Sequence, residues 1–339
     1  MSSVDIGIDL GTANIIITIG GKGVVLCEPS VVAYDKKKRK VIAVGTEAYN
    51  MLGRTPEYIV AVHPLRNGVI SDNFMTEMMV REFIRKVSGN MLVKPRVVLC
   101  VPCFVTDVEK RVLVETAMLA GARKVYLIEE PVAALLGAGV DITKPNGVMV
   151  VDIGGGTTDI AVASFNGIVS SASLKMGGNK MDAAIIKYMY SKYKLIIGEK
   201  TAELAKKTIA NIYDPDGTAK MHVKGRGVLK GLPISVEVSD LDIQEALSGC
   251  IEDIVGAIRN VFEKTPPELV GDIHANGVLL TGGGALLGGL DRLITSFAGA
   301  PCIIAEKPVE CVARGVGRAF KHTGELLDGF EKISLYKYK

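Results

Sequence analysis

The stretch Asp152-Ile153-Gly154-Gly155-Gly156-Thr157-Thr158-Asp159 carries the residue types that handle phosphate. Glycines let backbone N–H groups approach a phosphate with no Cβ in the way, and they tolerate positive φ. The hydroxyls of Thr157 and Thr158 add donors. Asp152 offers a hard carboxylate, which suits Mg²⁺ held through water. A weaker copy stands at Asp9-Leu10-Gly11-Thr12-Ala13-Asn14, again an acid followed by a glycine turn. A third glycine turn, Thr281-Gly282-Gly283-Gly284-Ala285-Leu286, precedes a helical pattern over 287–297, an arrangement that cradles anions or nucleotides. Glu129 and Glu130 precede Pro131 where a strand pattern gives way to a helix. One of them could serve as a general base or hold a water, although two acids at a helix start also simply favour its dipole. An isolated triple glycine also fits an ordinary hairpin; the flanking acid and the paired threonines favour the phosphate reading.

These residues need strands to hold them. The run 148–151 is apolar and valine-rich, and apolar runs resume at Ile160 and over 168–172, giving strand, glycine turn, strand, turn, strand. The same order appears over 4–10, 15–19 and 24–27. A repeated unit of this kind predicts two similar domains whose glycine turns and acids converge on one cleft. Between them the sequence predicts a hairpin over 31–34 and 41–44 around the solvated basic turn 36–40, then a loop-rich stretch over 45–73. Met75, Met79, Phe83 and Val87 recur at helical spacing. A strand follows over 97–101, and a helix opened by the capping box Thr106–Glu109 and closed by Gly121. Strand 125–128 leads to a helix with Pro131 in its first turn. After the second glycine turn come Met176-Gly177-Gly178-Asn179, a helix over 181–193 and a short helix over 201–211 carrying Glu203 and Lys206. Residues 215–231 are turn-rich and basic and read as a surface excursion. A long helix over 239–263 stops at Pro266-Pro267, and a last core helix covers 312–320. The fold class is α/β, with hairpins as well as crossovers.

At 339 residues the chain has room for about two domains, and 48% hydrophobic with 23% charged residues is an ordinary globular balance. A net charge of only +3 argues against generic nucleic-acid binding. No apolar run approaches a membrane span, and the first residues lack the basic and apolar regions of a signal peptide, so the expectation is a cytoplasmic chain. The six cysteines are scattered. Cys100-Val101-Pro102-Cys103 has CxxC spacing without a second pair, and Cys100 closes an apolar run, which reads as core. The four histidines share no ligand spacing. Met91, Leu92 and Val93 lie on a loop flanked by polar residues; they either insert into a partner or bilayer or fold back onto the core.

Taken together, the two acid–glycine turns, Glu129-Glu130-Pro131 and Thr281-Gly282-Gly283-Gly284-Ala285 resemble the actin-like ATPase superfamily, which also holds heat-shock ATPases and sugar kinases. Within it the chain is similar to the MreB/Mbl family of bacterial rod-shape-determining actins. Glu28-Pro29-Ser30-Val31-Val32, Gly53-Arg54-Thr55-Pro56, Gly68-Val69-Ile70 and Thr265-Pro266-Pro267-Glu268-Leu269 carry that closer likeness, which runs from about residue 4 to about 318. The segment His63-Pro64-Leu65-Arg66-Asn67 departs from the family's usual pattern of Arg, Pro, Leu, a base and Asp.

The resemblance implies an actin-like fold of two duplicated α/β domains, each with a smaller subdomain, and a nucleotide in the central cleft. Domain I would take 1–143 plus a C-terminal helix at about 308–330, with a small subdomain at about 33–73; domain II would take 144–307, with one at about 183–240. It implies ATP and Mg²⁺ as ligands. Gly11, Thr12, Ala13 and Asn14, with Gly154, Gly155, Gly156, Thr157 and Thr158, would grip the phosphates. Asp9 and Asp152 would set Mg²⁺ through water. Glu203 and Lys206 would lie by the ribose and adenine, and Gly282, Gly283, Gly284 and Ala285 would close over the nucleoside. Glu130 and Thr157 would position the attacking water. The implied function is a slowly hydrolysing, filament-forming ATPase at the inner face of the cell membrane, directing cell shape and lateral wall synthesis. Its partners would be its own copies, the membrane surface, an adaptor and the wall-elongation machinery, with no nucleic acid. Met91 and Leu92 sit where the family's hydrophobic membrane loop would be. A small-metabolite kinase on the same fold is the alternative, although no base for an acceptor hydroxyl stands out beyond Glu130. A chaperone ATPase would carry a further peptide-binding domain, for which little chain follows the last core helix.

Overall fold

The computed structural model describes residues 5–89, 94–320 and the backbone of 330–332. Strands β1 (Asp5–Leu10), β2 (Asn14–Ile19) and β3 (Gly23–Pro29) form an antiparallel meander, with Ile6, Ile8, Ile15 and Ile17 buried. A small sheet follows, made of β4 (Val32–Asp35), β5 (Lys40–Val44) and β6 (Ile59–Val62), with helix α1 (Thr46–Met51) between β5 and β6. The tight hairpin of β7 (Leu65–Arg66) and β8 (Val69–Ile70) turns through Asn67 and Gly68, both at positive φ. The stretch expected to be loop-rich over 45–73 therefore holds a helix and three short strands. Each is too short for periodicity to reveal.

Helix α2 (Asn73–Ser88) starts at Asp72, whose carboxylate accepts the Met75 N–H at 2.9 Å, and buries Met79 and Phe83. Strand β9 (Arg96–Val101) runs parallel to β1. Helix α3 (Asp107–Leu119) opens with the Thr106–Glu109 capping box, as its sequence dictates. Strand β10 (Lys124–Glu129) runs parallel to β9 and feeds directly into α4 (Glu130–Ala138).

The second half repeats the plan. Strands β11 (Val148–Ile153), β12 (Thr158–Ser164) and β13 (Gly167–Leu174) form the second meander. Helix α5 (Gly178–Tyr193), strand β14 (Leu195–Ile196), helix α6 (Glu199–Ile209) and strands β15 (Lys220–Gly227) and β16 (Pro233–Ser239) build the second small sheet. Strand β15 replaces the surface excursion expected over 215–231. Lys220, His222, Lys224 and Arg226 are the outer face of a strand whose inner face holds Met221 and the buried Val223, so the basic composition masked a period of two. Helix α7 (Asp240–Lys264) ends before Pro266, and α8 (Pro267–Asn276) starts on the second proline. Strand β17 (Val278–Thr281), a 3-10 turn, helix α9 (Leu290–Ala298) and strand β18 (Cys302–Ile304) complete the second large sheet. The third glycine turn thus enters the 3-10 turn first, and the α-helix begins later than expected.

Helix α10 (Cys311–Ala319) returns to the first half, where β19 (Phe330–Lys332) pairs with β10. The large sheets have the orders β19-β10-β9-β1-β2-β3 and β13-β12-β11-β17-β18. Each sets a meander beside two parallel strands, so the duplication read from the two acid–glycine turns is a duplication of topology. Between the sheets, Val132, Leu135, Val312 and Val316 of α4 and α10 pack with Val98 and Ile128 of one sheet and Val150 and Ala161 of the other. The helices approach so closely that a Cβ on Gly315 would stand 1.7 Å from the Ala133 carbonyl oxygen, and one on Gly137 1.8 Å from that of Cys311. These helices form the joint on which the two halves meet.

Candidate functional site

The β1–β2 and β11–β12 turns touch. A Cβ on Gly155 would lie 2.5 Å from the Ala13 Cβ, and one on Gly156 2.3 Å from the Thr12 Oγ1, so side chains at these positions would force the halves apart. The β7–β8 turn completes the contact. The Gly68 N–H donates to Thr12 Oγ1 at 3.0 Å, and a Gly68 Cβ would meet Thr157 Cγ2 at 2.8 Å. The start of α5 braces the second turn, its Gly178 and Asn179 N–H groups donating to the carbonyls of Gly154 and Gly155 at 3.0 and 2.8 Å.

Around this contact lies a cavity of about 510 Å³, lined by both turns and by the acids Asp9, Glu130 and Asp152. Each metal-candidate acid is held by a neighbour on the adjacent parallel strand. Asp152 accepts the Thr281 hydroxyl at 2.6 Å, and Asp9 accepts the Cys100 thiol at 3.3 Å. Burial pushes Asp9 up to about 6, against the Cys100 bond. Burial likewise pushes Asp152 up to about 7; the Thr281 bond opposes this and the charges of Asp159 and Asp9 add to it. Burial, then Asp159, Asp152 and Asp9, hold Glu130 well above the usual carboxylate range. Two hard carboxylates on one cavity wall, one buried and one half-buried, fit a dication that keeps most of its waters and takes further oxygens from a bound phosphate. Among the described residues no group of three or more His, Cys, Asp or Glu could hold a metal by itself.

Another part of the wall carries Glu203, Lys206, Lys207 and Asp182. Lys206 Nζ lies 2.7 Å from Asp182 Oδ1, a charge pair rather than an aligned hydrogen bond, and donates to the Gly178 carbonyl at 2.8 Å. Glu203 accepts Lys207 Nζ at 2.6 Å on one oxygen and the Tyr49 hydroxyl at 2.9 Å on the other. Lys200 Nζ sits 4.1 Å over the Tyr49 ring. Tyr49 belongs to α1 and both charged residues to α6, so these contacts tie one half of the molecule to the other. Burial, then Glu203, pushes the Tyr49 phenol up to about 12.

Of the sequence-derived candidates, Asp9, Gly11, Thr12, Ala13, Asn14, Glu130, Asp152, Gly154, Gly155, Gly156, Thr157, Glu203, Lys206, Gly282, Gly283 and Gly284 all line this one cavity. Thr158 and Ala285 do not. Thr158 is the first residue of β12, where side chains alternate between faces, and its hydroxyl donates inward to the Met176 carbonyl at 2.8 Å. Ala285 is fully buried in the core of the second half. Met91 and Leu92 lie outside the described residues.

A family model described as MreB/Mbl protein matches residues 3–328. The chain belongs to the MreB/Mbl family. It is 48% identical to the cell shape-determining protein Mbl of Bacillus subtilis (strain 168) over 334 residues, 98% of each chain. It is 47% identical to the cell shape-determining protein MreB of Escherichia coli (strain K12), covering 96% of this chain and 97% of that one. Among solved structures it matches the crystal structure of MreB5 of Spiroplasma citri bound to ADP with a TM-score of 0.90 and 38% identity, over 94% of this chain and 97% of the other. The architecture is the actin-like ATPase fold.

In this MreB/Mbl chain several lining residues escaped sequence reasoning: Gly68, Asn179, Asp182, Lys207, Leu286 and Leu287. Met176-Gly177-Gly178-Asn179 was a visible signal, since glycines opening a helix mark a close approach. Asp182 offered none, being one acid on a helix face.

Proposed function

We propose that this chain binds and slowly hydrolyses ATP and polymerises into filaments at the inner face of the cytoplasmic membrane, directing cell shape and lateral wall synthesis. The observation that carries the reading is the pair of glycine turns in mutual contact with Asp9 and Asp152 in one cavity. The kinship supports it: relatives about half identical are named cell shape-determining proteins, and a 38% identical relative was crystallised with ADP.

In this reading Gly11 to Asn14 and Gly154 to Thr157 hold the phosphates, and Asp9 and Asp152 hold Mg²⁺ through its waters. When bound, the ion supplies charge neutralisation for phosphoryl transfer. Lys206, steered by Asp182, and Glu203 hold the nucleoside beneath the Gly282–Gly284 turn. Glu130 and Thr157 place the attacking water. Hydrolysis of this kind asks for positioning more than covalent chemistry. The reading divides the chain near 143/144, with the last helix rejoining domain I. Copies of the chain meet head to tail, a heterologous contact that extends without closing. The membrane surface, an adaptor and the wall-elongation machinery are the further partners.

Sedimentation and electron microscopy with Mg²⁺ and ATP on anionic vesicles test the reading. Nucleotide-dependent filaments on lipid are expected. Their absence across nucleotides and lipids, or turnover that depends on an added metabolite, would overturn it.

A further inference from the structure

Behind each of the two acids stands one donor on the neighbouring parallel strand. Thr281 is paired with Asp152 in the register of β17 on β11, and its hydroxyl donates to Oδ1 at 2.6 Å. Cys100 stands one residue past the Ile8–Leu99 pair of β1 and β9, the place beside Asp9, and its thiol donates to Oδ1 at 3.3 Å. The duplication of topology thus extends to the groups that hold the acids. The two donors differ in kind, since a hydroxyl is a full donor and a thiol a weak one. They also differ in support. Thr281 is fully buried, and the turn after it is locked onto the residue that follows Asp152: a Cβ on Gly282 would stand 2.3 Å from the Ile153 carbonyl oxygen, and one on Gly284 2.2 Å from Ile153 Cγ2. On either side of Thr281, the Leu280 carbonyl accepts the Ala305 N–H at 2.9 Å and the Gly282 N–H donates to the Pro308 carbonyl at 3.0 Å. Asp152 is buried, whereas Asp9 is only half-buried.

We propose that Thr281 and Cys100 are positioning residues for the ion, one in each half, and that they make the two acids unequal: the Thr281 hydroxyl holds Asp152 as the fixed ligand, and the Cys100 thiol leaves Asp9 the adjustable one. Each bond takes up Oδ1 of its acid and leaves the other oxygen for a water of the ion. A carboxylate oriented in advance need not be ordered when the ion arrives. Thr281 leads straight into Gly282–Gly284, so the fixed ligand and the nucleoside turn form one rigid piece, through which Mg²⁺ strengthens nucleotide binding. This rests on the ATPase reading above and adds to it two residues that do not line the cavity.

The test measures ADP affinity of the full chain by isothermal titration, with and without Mg²⁺, in wild type and in variants of the two donors. Thr281→Val keeps the side chain's shape and removes the hydroxyl, and Thr281→Ser keeps the hydroxyl. Thr281→Val is expected to lose about tenfold of the strengthening that Mg²⁺ gives, and Thr281→Ser to stay within about threefold of wild type. Cys100→Ala is expected to lose less, about threefold, and Cys100→Ser, with its stronger donor, to match or exceed wild type. Undiminished Mg²⁺ dependence in Thr281→Val, an equal loss in Thr281→Ser, or a larger loss in Cys100→Ala than in Thr281→Val would overturn the proposal. Should Thr281→Val fail to fold, Thr281→Ala removes the hydroxyl in less space and is read the same way. Infrared spectra of the nucleotide-free chain give a second readout. The S–H stretching band of Cys100, assigned by its absence from Cys100→Ala, is expected at lower frequency in wild type than in Asp9→Asn, where the acceptor is weaker; equal frequencies would overturn the paired assignment. A wild-type chain that binds no nucleotide would instead overturn the ATPase reading itself, and the infrared comparison would still decide the bond between Cys100 and Asp9.

Discussion

Asp9 and Asp152 line one cavity from two strands that lie far apart in the chain, Asp152 buried and Asp9 half-buried. Their folded pKa values, about 6 and about 7, stand above the ordinary 3.8. The protonated form therefore favours the folded state. That stability is fully present below about pH 4 and is lost as pH rises through about 6 and about 7, at about 1.4 kcal/mol per group for each unit crossed. The nucleotide-free chain is accordingly expected to melt at a higher temperature near about pH 5.5 than near about pH 8. Saturating Mg²⁺·ATP should erase most of the difference, because the ion takes over the role of the protons. Differential scanning calorimetry at both values checks this; equal melting temperatures without nucleotide would contradict it. The acids and the glycines were legible in sequence because strand-end carboxylates and runs of glycine have few other uses together. Whether Thr157 or its neighbour Thr158 faces the cavity was not legible, since that depends on where β12 begins. Asp159 was visible as the last residue of the motif, but its partner Cys103 comes from the other half of the chain.

The elements set how these side chains meet. Helices α4 and α10 pack backbone to backbone through Gly137 and Gly315. Gly315→Ala would drive a methyl into the Ala133 carbonyl, and overpacking of this kind costs about 1–3 kcal/mol. The variant is expected to lower the unfolding free energy by that amount in a denaturant titration, and an unchanged midpoint would contradict the tight joint. Across the other end of the cleft, the Tyr49–Glu203 bond and the Lys200 contact tie α1 to α6. Tyr49→Phe keeps a ring for Lys200 and removes only the hydroxyl. A bond of about 1 kcal/mol that favours the closed cleft corresponds to roughly fivefold in nucleotide dissociation, faster in the variant. Stopped-flow release of a fluorescent nucleotide measures it, and an unchanged rate would show that the tie does not gate the cleft. Long elements with one clear period, such as α2 and α7, could be read from sequence. Strand β15 could not, because its basic outer face outweighed a thin apolar inner face. The tie between α1 and α6 was out of reach, since its partners are distant in sequence and each alone is an ordinary surface residue.

At the scale of the whole molecule, the chain repeats one plan. Two meanders, each with an acid and a glycine turn, gave the duplication and therefore the cleft; the resemblance implied that the C-terminal helix rejoins the first half, and α10 packs there against α4. Placement at a membrane is a separate matter from the cleft. Among the described residues no helix is long and apolar enough to cross a membrane. Met91 and Leu92, outside the described residues, remain the proposed contact by interfacial insertion. Met91→Ser combined with Leu92→Ser is expected to release the protein from anionic vesicles in co-flotation while leaving ATP binding intact. Undiminished co-flotation would contradict that assignment.

The central claim is that the two halves hold one magnesium-bound triphosphate between Asp9 and Asp152. Isothermal titration of ATP into the chain, with and without Mg²⁺, and into Asp152→Asn, tests it most directly. The account predicts one site per chain in the wild type, at least tenfold weaker without the ion, with that dependence largely lost in Asp152→Asn as expected when one of two charged ligands is removed. Binding of equal strength with and without Mg²⁺, or no binding at all, would contradict it.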